Sequence, residues 1–550
     1  MSQDKRAREK SRREFLRLSA ASGVFVMANR VGIGSAVRFA QSARQISKGA
    51  FELEEVTIAE LRLGMKSGKW TARSLAEKYL SRIGEMDKRG PAVNSIIELN
   101  PQALAIADAL DKERKAKGER GPMHGVPVLI KDNLDTADRM STTAGSLALV
   151  GSVPLRDSFV VQRLRAAGAV ILGKTNLSEW ANIRSSHSSS GWSGRGGQTK
   201  NPYVLDRNPC GSSSGSGAAI AANFAAVAVG TETDGSVVCP SSANSLVGIK
   251  PTLGLVSRSG IIPIAHSQDT AGPMARTVAD AAILLGAMAG VDPDDAITNE
   301  SRGHSSTDYT EFLDTNGLRG ARIGVVRKSF GFNDQVDQLI NSAIDVIKRL
   351  GAEIIDPADI ETAGKFDDSE LEVLLYELKA DLNKYLAALG PRAPVKSLKE
   401  IIEFNERNKE REMPYFGQDL FIKAEAKGPL TDKAYLDALA KNQRMSRGEG
   451  IDAVMSKNRL DAMVAPTGGP PWPTDLLNGD HFTGGYSSPS AVAGYPHITV
   501  PAGYVHGLPV GVSFFAGAYS EPKLIKYAYA FEQATKARRP PRFLARVELG

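Results

Sequence analysis

Cysteines, aromatic residues and long hydrophobic runs are all scarce in this sequence of 550 residues. Its two cysteines cannot cross-link a core of this size, which excludes a disulfide-stapled scaffold. An uncharged stretch at 209–231 begins with glycines and serines, and its apolar part, 218–229, is only about half as long as a membrane-spanning helix. With 42% hydrophobic and 24% charged residues, the composition is that of an ordinary folded protein.

Metal-binding and nucleotide-binding motifs are missing as well. Seven histidines occur, none of them in a His-x-x-x-His pair, and the two cysteines do not complete a zinc-binding set. The sequence has no Gly-x-x-x-x-Gly-Lys phosphate loop, and no Gly-x-Gly-x-x-Gly run follows a predicted strand. We therefore predict neither a metal nor a cofactor.

The net charge of +6 does not indicate a nucleic-acid partner. Residues 1–43 hold nine lysines and arginines against three acidic residues, so this segment carries the whole excess and residues 44–550 are neutral in sum. A nucleic-acid-binding protein would need a basic patch on its folded part. We therefore expect no nucleic-acid partner.

The N-terminal segment 1–43 is typical of an export signal. It contains Ser11-Arg12-Arg13-Glu14-Phe15-Leu16-Arg17, which has the paired arginines, phenylalanine and leucine of a twin-arginine signal, and a short apolar stretch follows at 23–28. Small residues near Ala36 and at 40–43 would suit a signal peptidase, but they define no single cleavage site. We predict recognition by the twin-arginine export machinery and an exported, periplasmic protein, with a simple basic tail as the alternative.

Helical and strand patterns alternate after this segment. Apolar residues spaced three and four apart predict helices at 71–80 and 160–167. Short apolar runs predict buried strands at 125–130 and 169–173. Alternation of this kind predicts an α/β fold, in which helices flank a central sheet.

Two further segments have a predicted structure. The uncharged stretch 209–231 is expected to be a Gly/Ser loop that leads into a buried, alanine-rich helix over 218–229. Between about 300 and 440 the sequence is richer in charge and in helical runs, which predicts a helix-rich insertion. This insertion either caps a substrate cleft or forms a plain solvated layer.

Two glycine-rich clusters carry many hydroxyl groups. They are Gly211-Ser212-Ser213-Ser214-Gly215-Ser216-Gly217 and Gly230-Thr231-Glu232-Thr233-Asp234-Gly235-Ser236. A serine nucleophile needs a base and a nest of backbone N–H groups, and glycine-rich turns supply such nests. One interpretation takes Gly211–Gly215 as the Gly-x-Ser-x-Gly elbow of an α/β-hydrolase-like esterase with Ser213 as nucleophile. That elbow requires a preceding strand, whereas residues 200–209 are rich in turn formers.

A second interpretation joins both clusters with Lys131, which stands at the end of a predicted strand. The segment from Gly211 to Ser236, together with Val247-Gly248-Ile249-Lys250-Pro251-Thr252, resembles the amidase signature superfamily. Ser212 and Ser236 are 24 residues apart, the separation of the two catalytic serines in that family. The resemblance covers residues from about 54 to 541. Its flanking motifs are Gly125-Val126-Pro127, Lys131-Asp132-Asn133, Thr142-Thr143-Ala144-Gly145-Ser146, Ala493-Gly494-Tyr495-Pro496 and Gly507-Leu508-Pro509-Val510-Gly511.

This resemblance implies a single amidase domain over 44–550, with a large mixed β-sheet flanked by helices. It implies an amide hydrolase in which Ser236 is the acylated nucleophile, Ser212 the bridging serine and Lys131 the general base. It also implies a cis peptide bond at Ser212–Ser213 or at its neighbour. The chemistry requires an uncharged lysine, and burial beside a strand lowers a lysine pKa by disfavouring the ammonium form.

The resemblance also places an oxyanion hole at the backbone N–H groups of Thr233, Asp234, Gly235 and Ser236. Many family members have Gly-Thr-Asp-Thr-Gly-Gly-Ser here, so the Asp234 carboxylate is a departure that would oppose an oxyanion unless it points away. The variant is similar to the peptide amidases, which remove the C-terminal amide of peptides. The predicted partner is therefore a small-molecule or peptide amide. The alternative is a protein of the amidotransferase type, which works within a larger complex.

The two cysteines flank the predicted serines in the sequence. Cys210 stands two residues before Ser212, and Cys239 stands three residues after Ser236. If the serines meet, the cysteines approach each other. We expect two buried free thiols, with a disulfide as the alternative. The sequence gives no indication of the oligomeric state.

Overall fold

The computed structural model of the protein describes residues 51–391 and 393–548. The predicted export signal at 1–43 lies outside these residues. The chain divides into two units, Met1–Glu54 and Glu55–Gly550, and every element given below belongs to the second. None of the helices in the described ranges combines the length and the apolar character needed to cross a membrane.

A mixed sheet of eleven strands forms the centre of the described part of the second unit. The strands are β1 (Ile96–Leu99), β2 (Pro127–Lys131), β3 (Val170–Thr175), β4 (Trp192–Ser193), β5 (Gly197–Gln198), β6 (Val227–Glu232), β7 (Val247–Lys250), β8 (Thr270–Ala275), β9 (Arg322–Val325), β10 (Glu353–Ile355), β11 (Ala462–Pro466), β12 (His497–Val505) and β13 (Leu508–Phe515). Their order across the sheet is β1-β3-β2-β6-β8-β7-β12-β13-β11-β9-β10, and β4 and β5 form a separate pair.

Parallel and antiparallel pairs are both present in this sheet. Strands β3, β2 and β6 run parallel to one another, as do β11, β9 and β10. The neighbours from β6 to β11 pair antiparallel, and so does β1 with β3. The predicted fold class, a large mixed sheet flanked by helices, is therefore confirmed.

Most helices lie between these strands along the chain, while α1 and α2 precede β1 and α16 follows β13. They are α1 (Ile58–Lys66), α2 (Ala72–Met86), α3 (Ala103–Lys117), α4 (Phe159–Ala166), α5 (Ser214–Ala221), α6 (Val238–Ala243), α7 (Val278–Met288), α8 (Asp334–Arg349), α9 (Asp367–Ala388), α10 (Leu398–Arg407), α11 (Lys409–Glu412), α12 (Asp419–Glu425), α13 (Lys433–Gln443), α14 (Asp452–Asn458), α15 (Ser488–Ala493) and α16 (Glu521–Thr535). Side-chain caps start several of them: Thr57 and Thr71 each form a capping box that satisfies the first N–H groups of α1 and α2.

Strands β2 and β6 lie side by side in the interior of the sheet, third and fourth from the edge at β1, and are buried along their whole length. Near-continuous apolar runs of this kind suit parallel strands that are covered on both faces. The segments predicted as strands at 125–130 and 169–173 correspond to β2 and β3, and the helices predicted at 71–80 and 160–167 correspond to α2 and α4.

The alanine-rich helix predicted over 218–229 is wrong in its second half. Helix α5 ends at Ala221, a turn follows, and strand β6 begins at Val227. In that turn Asn223 has a φ of 60°, a left-handed conformation that Asn tolerates better than most residues and that ends a helix. Alanine and valine fit a buried helix and a buried strand equally well, so apolar composition could not place this break.

Residues 300–440 contain two strands of the sheet, β9 and β10, with the helix α8 between them, and then the helices α9 to α12 and most of α13. Buried leucines and isoleucines of α9 and α10 pack in one apolar cluster with Leu177, Trp180, Ile262 and Ile264. The helical part of this segment therefore covers the neighbourhood of the carboxyl ends of the parallel strands, where ligands bind in open α/β sheets.

Candidate active site

Lys131 is the last residue of β2, and its side chain is fully buried. Its Nζ atom lies 2.7 Å from Ser212 Oγ and 2.8 Å from Thr231 Oγ1, and it donates a longer hydrogen bond of 3.3 Å to the carbonyl oxygen of Thr231. Thr231 lies near the end of β6, the parallel neighbour of β2. Two adjacent strand ends therefore bring the lysine and the second glycine-rich cluster together.

Burial changes the ionisation of Lys131. Removal from water lowers the pKa of its ammonium to about 7, while the carboxylates of Asp269 and Glu232 act in the opposite direction. Because an ammonium loses hydration when it is buried, the neutral amine becomes accessible near neutral pH. The lysine can then accept a proton, as a general base must.

Ser212 lies at the amino end of α5 and has no exposed surface. The cis peptide bond expected at Ser212–Ser213 or its neighbour is found at Gly211–Ser212. The glycine-rich sequence allows close packing here: a Cβ atom at Gly215 would lie 2.4 Å from the carbonyl oxygens of Asn176 and Ser95. The loop can thus pack closely against the ends of the strands, which places Ser212 next to Lys131.

Ser213, the alternative nucleophile, is engaged with the backbone of β6. Its Oγ donates to the Thr231 carbonyl oxygen at 3.0 Å and accepts from the Thr231 N–H at 3.1 Å. No strand precedes it among the described residues 199–213. The strand–turn–helix geometry of a nucleophile elbow is therefore not formed around Ser213.

Ser236 lies in the turn between β6 and α6 and is 9% exposed. Its carbonyl oxygen accepts a hydrogen bond from the Ser213 N–H at 3.2 Å, which holds the two serine clusters against each other. Within the described residues, Ser236 Oγ forms no hydrogen bond with Ser212 Oγ. The structure thus brings Lys131 and Ser212 into direct contact and places Ser236 beside them through the backbone of Ser213.

The oxyanion turn, residues 233–236, exposes successive backbone donors. Across the described part of the chain, the N–H groups of Thr233, Asp234, Gly235 and Ser236 have no hydrogen-bond acceptor. Gly235 has a φ of 76°, which favours glycine. The Glu232 carboxylate anchors the far side of the turn by accepting from the N–H groups of Val237 and Val238 at 2.8 and 3.0 Å. Such a row of unpaired N–H groups suits a developing oxyanion.

The Asp234 carboxylate is bound away from these donors. Its Oδ2 atom accepts from Ser488 Oγ at 2.6 Å, at the start of α15. Burial raises the pKa of this carboxyl group, although hydrogen bonds from Ser487 and Ser488 oppose the shift. Asp234 can therefore contribute its backbone N–H to the turn while its side chain serves the contact with α15.

A cavity of about 250 Å³ adjoins Thr231 and Thr233. Its wall is formed by apolar residues of the 261–264 segment, by Tyr385 and Ala388 of α9, and by charged groups that include Asp269 and His266. Ser236 is not among its lining residues in the described part of the chain. The cavity is large enough for a side chain of a substrate whose carbonyl lies at the oxyanion turn.

Three polar residues beside the site were not predicted. Thr231 Oγ1 accepts from both Lys131 Nζ and Asn133 Nδ2, the latter at 3.0 Å. Asp269 accepts from Thr233 Oγ1 at 2.6 Å. Thr231 belongs to the glycine-rich cluster 230–236 and Asn133 to the Lys131-Asp132-Asn133 motif, so their positions offered a signal. Asp269 falls outside those motifs, and only the tertiary structure brings it to the site.

The expectation of two free thiols is wrong. Cys210 and Cys239 form a disulfide, with their Cα atoms 6.0 Å apart. Cys210 precedes the Gly211–Ser212 bond and Cys239 belongs to α6, so the same packing that joins the serine clusters brings the cysteines within bonding distance. Trp472 and Ala243 pack around the bridge.

The chain is similar to several known proteins. The protein-family model described as Amidase matches residues 74–525. A probable amidase of Arabidopsis thaliana is 44% identical over 514 residues, covering 92% of this chain and 95% of that protein. A glutamyl-tRNA(Gln) amidotransferase subunit of Halorhodospira halophila is 34% identical, covering 88% and 98%. The crystal structure of native peptide amidase from Stenotrophomonas maltophilia superposes with a TM-score of 0.87 at 50% identity, covering 90% of this chain and all of that one. The chain therefore belongs to the amidase signature family and is an amide-hydrolysing enzyme.

Proposed function

We propose that the protein hydrolyses a carboxylic amide through an acyl-enzyme on Ser236, with Ser212 as bridging serine and Lys131 as general base. The observation that carries this proposal is the 2.7 Å contact between Lys131 Nζ and Ser212 Oγ in a fully buried position. A neutral amine has two N–H donors and one lone pair. The donors can serve the two oxygen atoms of Thr231, which leaves the lone pair for the Ser212 hydroxyl proton.

The proton movements follow from this arrangement. Ser212 passes its proton to Lys131 and takes the proton of Ser236, whose oxygen attacks the amide carbon. The carbonyl oxygen becomes an anion within reach of the N–H groups of the oxyanion turn, which stabilise it. The proton then returns through Ser212 to the departing nitrogen, and ammonia or an amine leaves. Water repeats the sequence on the Ser236 ester, which releases the acid and restores the serine.

The proposed substrate is the C-terminal amide of a peptide. Support comes from the likeness to the peptide amidase of Stenotrophomonas maltophilia, together with the cavity beside the oxyanion turn, which can receive a side chain of the acyl part. Amidotransferase chemistry is the second candidate, favoured by the similarity to the glutamyl-tRNA(Gln) amidotransferase protein of Halorhodospira halophila. It requires partner subunits and an aminoacyl-tRNA, whereas residues 44–550 carry no net positive charge that would attract a nucleic acid.

The test is Ser236→Ala, assayed by ammonia release from amidated peptides, simple amides and anilides. We expect loss of all release and of labelling by a fluorophosphonate, because the nucleophile is gone. Ser213→Ala is the matched control and should still be labelled, since Ser213 Oγ is engaged with the Thr231 backbone. Retained hydrolysis in Ser236→Ala, or label lost only in Ser213→Ala, would refute the assignment. Activity confined to mixtures with partner subunits would favour the amidotransferase.

We also propose that the protein is exported by the twin-arginine route and acts in the periplasm. The support is the run from Ser11 to Arg17 with its adjacent arginines. Replacing both arginines, Arg12→Lys with Arg13→Lys, should leave the protein in the cytoplasmic fraction of a bacterial host. Equal periplasmic recovery of the unchanged and the doubly substituted protein would contradict this proposal.

A further inference from the structure

Asp269 connects the oxyanion turn with the wall of the cavity. It stands one residue before β8 and is itself one of the lining residues. Its Oδ1 atom accepts from Thr233 Oγ1 at 2.6 Å, while its Oδ2 atom accepts from the N–H groups of Ile264 and Ala265 at 2.7 and 2.9 Å. One carboxyl group thus holds the first residue of the turn, Ile264 of the cavity wall and its neighbour Ala265.

All three bonds need an acceptor at Asp269. A hydroxyl and two backbone N–H groups converge on its two oxygen atoms, and a carboxylate can accept every one of them. An asparagine has only one oxygen, which could keep both backbone N–H groups, so its NH2 group would face Thr233 Oγ1 and the hydroxyl would have to accept instead of donate. The carboxylate therefore holds Thr233 by a charge-assisted bond, which an asparagine would replace by a neutral bond of the opposite direction.

The same carboxylate is one of the charges that act on Lys131. Asp269 and Glu232 both raise the pKa of Lys131, against the larger effect of burial. Burial raises the pKa of Asp269 itself to about 6, with bonds from Thr233, Ile264 and Ala265 opposing and Asp381 of α9 adding to the shift. Arg258, which lines the same cavity as Asp269, also interacts with it electrostatically. Near neutral pH, Asp269 is thus ionised and favours the protonated form of Lys131.

We propose that Asp269 is a positioning residue for amide hydrolysis, which fixes the oxyanion turn against the cavity wall and sets the pH at which Lys131 becomes a base. This inference rests on the proposed function of Ser236 and Lys131. It assigns two separable tasks to one side chain. The hydrogen bonds hold the Thr233 N–H in place for the oxyanion, and the negative charge acts on the lysine through space.

Asp269→Asn tests both tasks. Because the charge-assisted bond that holds Thr233 becomes a weaker neutral bond, the oxyanion turn is fixed less firmly, and kcat for an amidated peptide should fall about threefold or more, with a smaller change in KM. Because the negative charge near Lys131 is removed, the acid limb of the pH profile of kcat/KM should move to lower pH. A side chain that only supports the fold would lower activity without moving this limb.

A second pair of variants separates the bond from the charge. Thr233→Val removes the hydroxyl donor but keeps the backbone N–H and the Asp269 carboxylate, so kcat should fall while the acid limb keeps its wild-type position. Thr233→Ser restores the hydroxyl group and should recover most of kcat. These variants decide the question if Asp269→Asn does not fold: wild-type kcat in Thr233→Val would then overturn the inference.

Asp280→Asn is the matched control. Asp280 of α7 is a buried carboxyl group that accepts from the Ile58 N–H at 3.0 Å, and burial raises its pKa to about 6, as for Asp269. Its replacement should leave kcat and the acid limb unchanged. If folded Asp269→Asn matches Asp280→Asn in both readouts, the inference is wrong although the proposed function stands. Activity in Ser236→Ala would instead overturn the proposed function itself.

Discussion

At the scale of single residues, the site depends on one lysine that is held out of water. Burial of Lys131 lowers its pKa to about 7, so the amine loses its proton as the pH rises through this value. We therefore expect kcat/KM to rise with pH through a midpoint near 7 and to level off above it, because only the neutral amine can accept the proton of Ser212. A pH profile of the free enzyme, measured with a neutral amide substrate, gives this midpoint.

Two variants assign the midpoint to Lys131. Lys131→Arg should lose activity at every pH by at least about a hundredfold, because a guanidinium stays protonated and cannot act as a base. His266→Gln removes a histidine that lines the cavity beside the oxyanion turn and whose pKa is raised, chiefly by its hydrogen bond with Asp381, and it should keep the acid limb. A limb that disappears in His266→Gln would contradict the assignment to Lys131.

Some site residues could be predicted from the sequence and others could not, for a physical reason. Lys131 and Ser212 each belong to a short sequence motif: Lys131 ends an apolar strand, and Ser212 lies in a glycine-rich loop. The structure places their side chains in contact. Asp269 stands far along the chain from both. Its contact with Thr233 arises because β8 pairs with β6, a partnership that local sequence patterns do not encode.

At the scale of elements, the disulfide ties together the two segments that carry the serines. The sequence left free thiols and a disulfide both open, because Cys210 and Cys239 are 29 residues apart and meet only after α5 and β6 have turned the chain back on itself. The helix predicted over 218–229 is wrong for a similar reason, because local sequence does not show where the helix ends. Uncharged alanine-rich sequence is compatible with either element, and the turn at Asn223 decides between them.

Loss of this disulfide should weaken the fold measurably. In the chain-entropy account, a bridge that closes a loop of this length stabilises the folded state by about 3–4 kcal/mol, by restricting the unfolded chain. Cys210→Ser combined with Cys239→Ser should lower the denaturant midpoint of unfolding, and treatment of the unchanged protein with a reductant should lower it to the same point. The double variant serves as its own control, since a reductant should not shift it. Identical midpoints of oxidised and reduced protein would rule out a stabilising role.

At the scale of the whole molecule, the sheet joins two distant parts of the chain. Strands up to β8 make one side and strands from β9 to β13 make the other, and they meet where β7 pairs with β12, with Ile249 opposite Ile498. The fold class could be predicted because helices and strands alternate along the sequence. The order of the strands could not be predicted, because many neighbouring strands in the sheet are far apart in the sequence and local patterns do not show which of them pair.

An ion pair between Arg538 and Glu55 joins the beginning of the second unit to a segment near its end. Its guanidinium forms two hydrogen bonds of 2.7 Å to the Glu55 carboxylate and one of 2.7 Å to the carbonyl oxygen of Ser245. The side chains of Arg538 and Glu55 are 11% and 30% exposed, so the pair is only partly screened by solvent. Burial acts to raise the pKa of Glu55, but Arg538, helped by Arg276 and Asn223, more than offsets this and holds the pKa below its usual range.

Loss of the Arg538–Glu55 ion pair should therefore destabilise the protein in a pH-dependent manner. Arg538→Ala leaves the Glu55 carboxylate without its cation, and we expect a loss of about 2 kcal/mol in the free energy of unfolding at neutral pH, less than for a fully buried pair. Because the pKa of Glu55 is lowered in the folded state, the pair contributes above the pKa of the unfolded chain, and its contribution disappears as the pH falls through the folded value. Thermal unfolding at pH 7 and at about pH 3 measures both effects, and the difference in melting temperature between the variant and the unchanged protein should narrow at the lower pH.

Arg542→Ala, which removes an exposed pair with Glu548, is the control and should change the melting temperature little at either pH. An equal loss in the two variants, or a gap that widens on acidification, would show that the Arg538–Glu55 pair does not clamp the two ends of this unit.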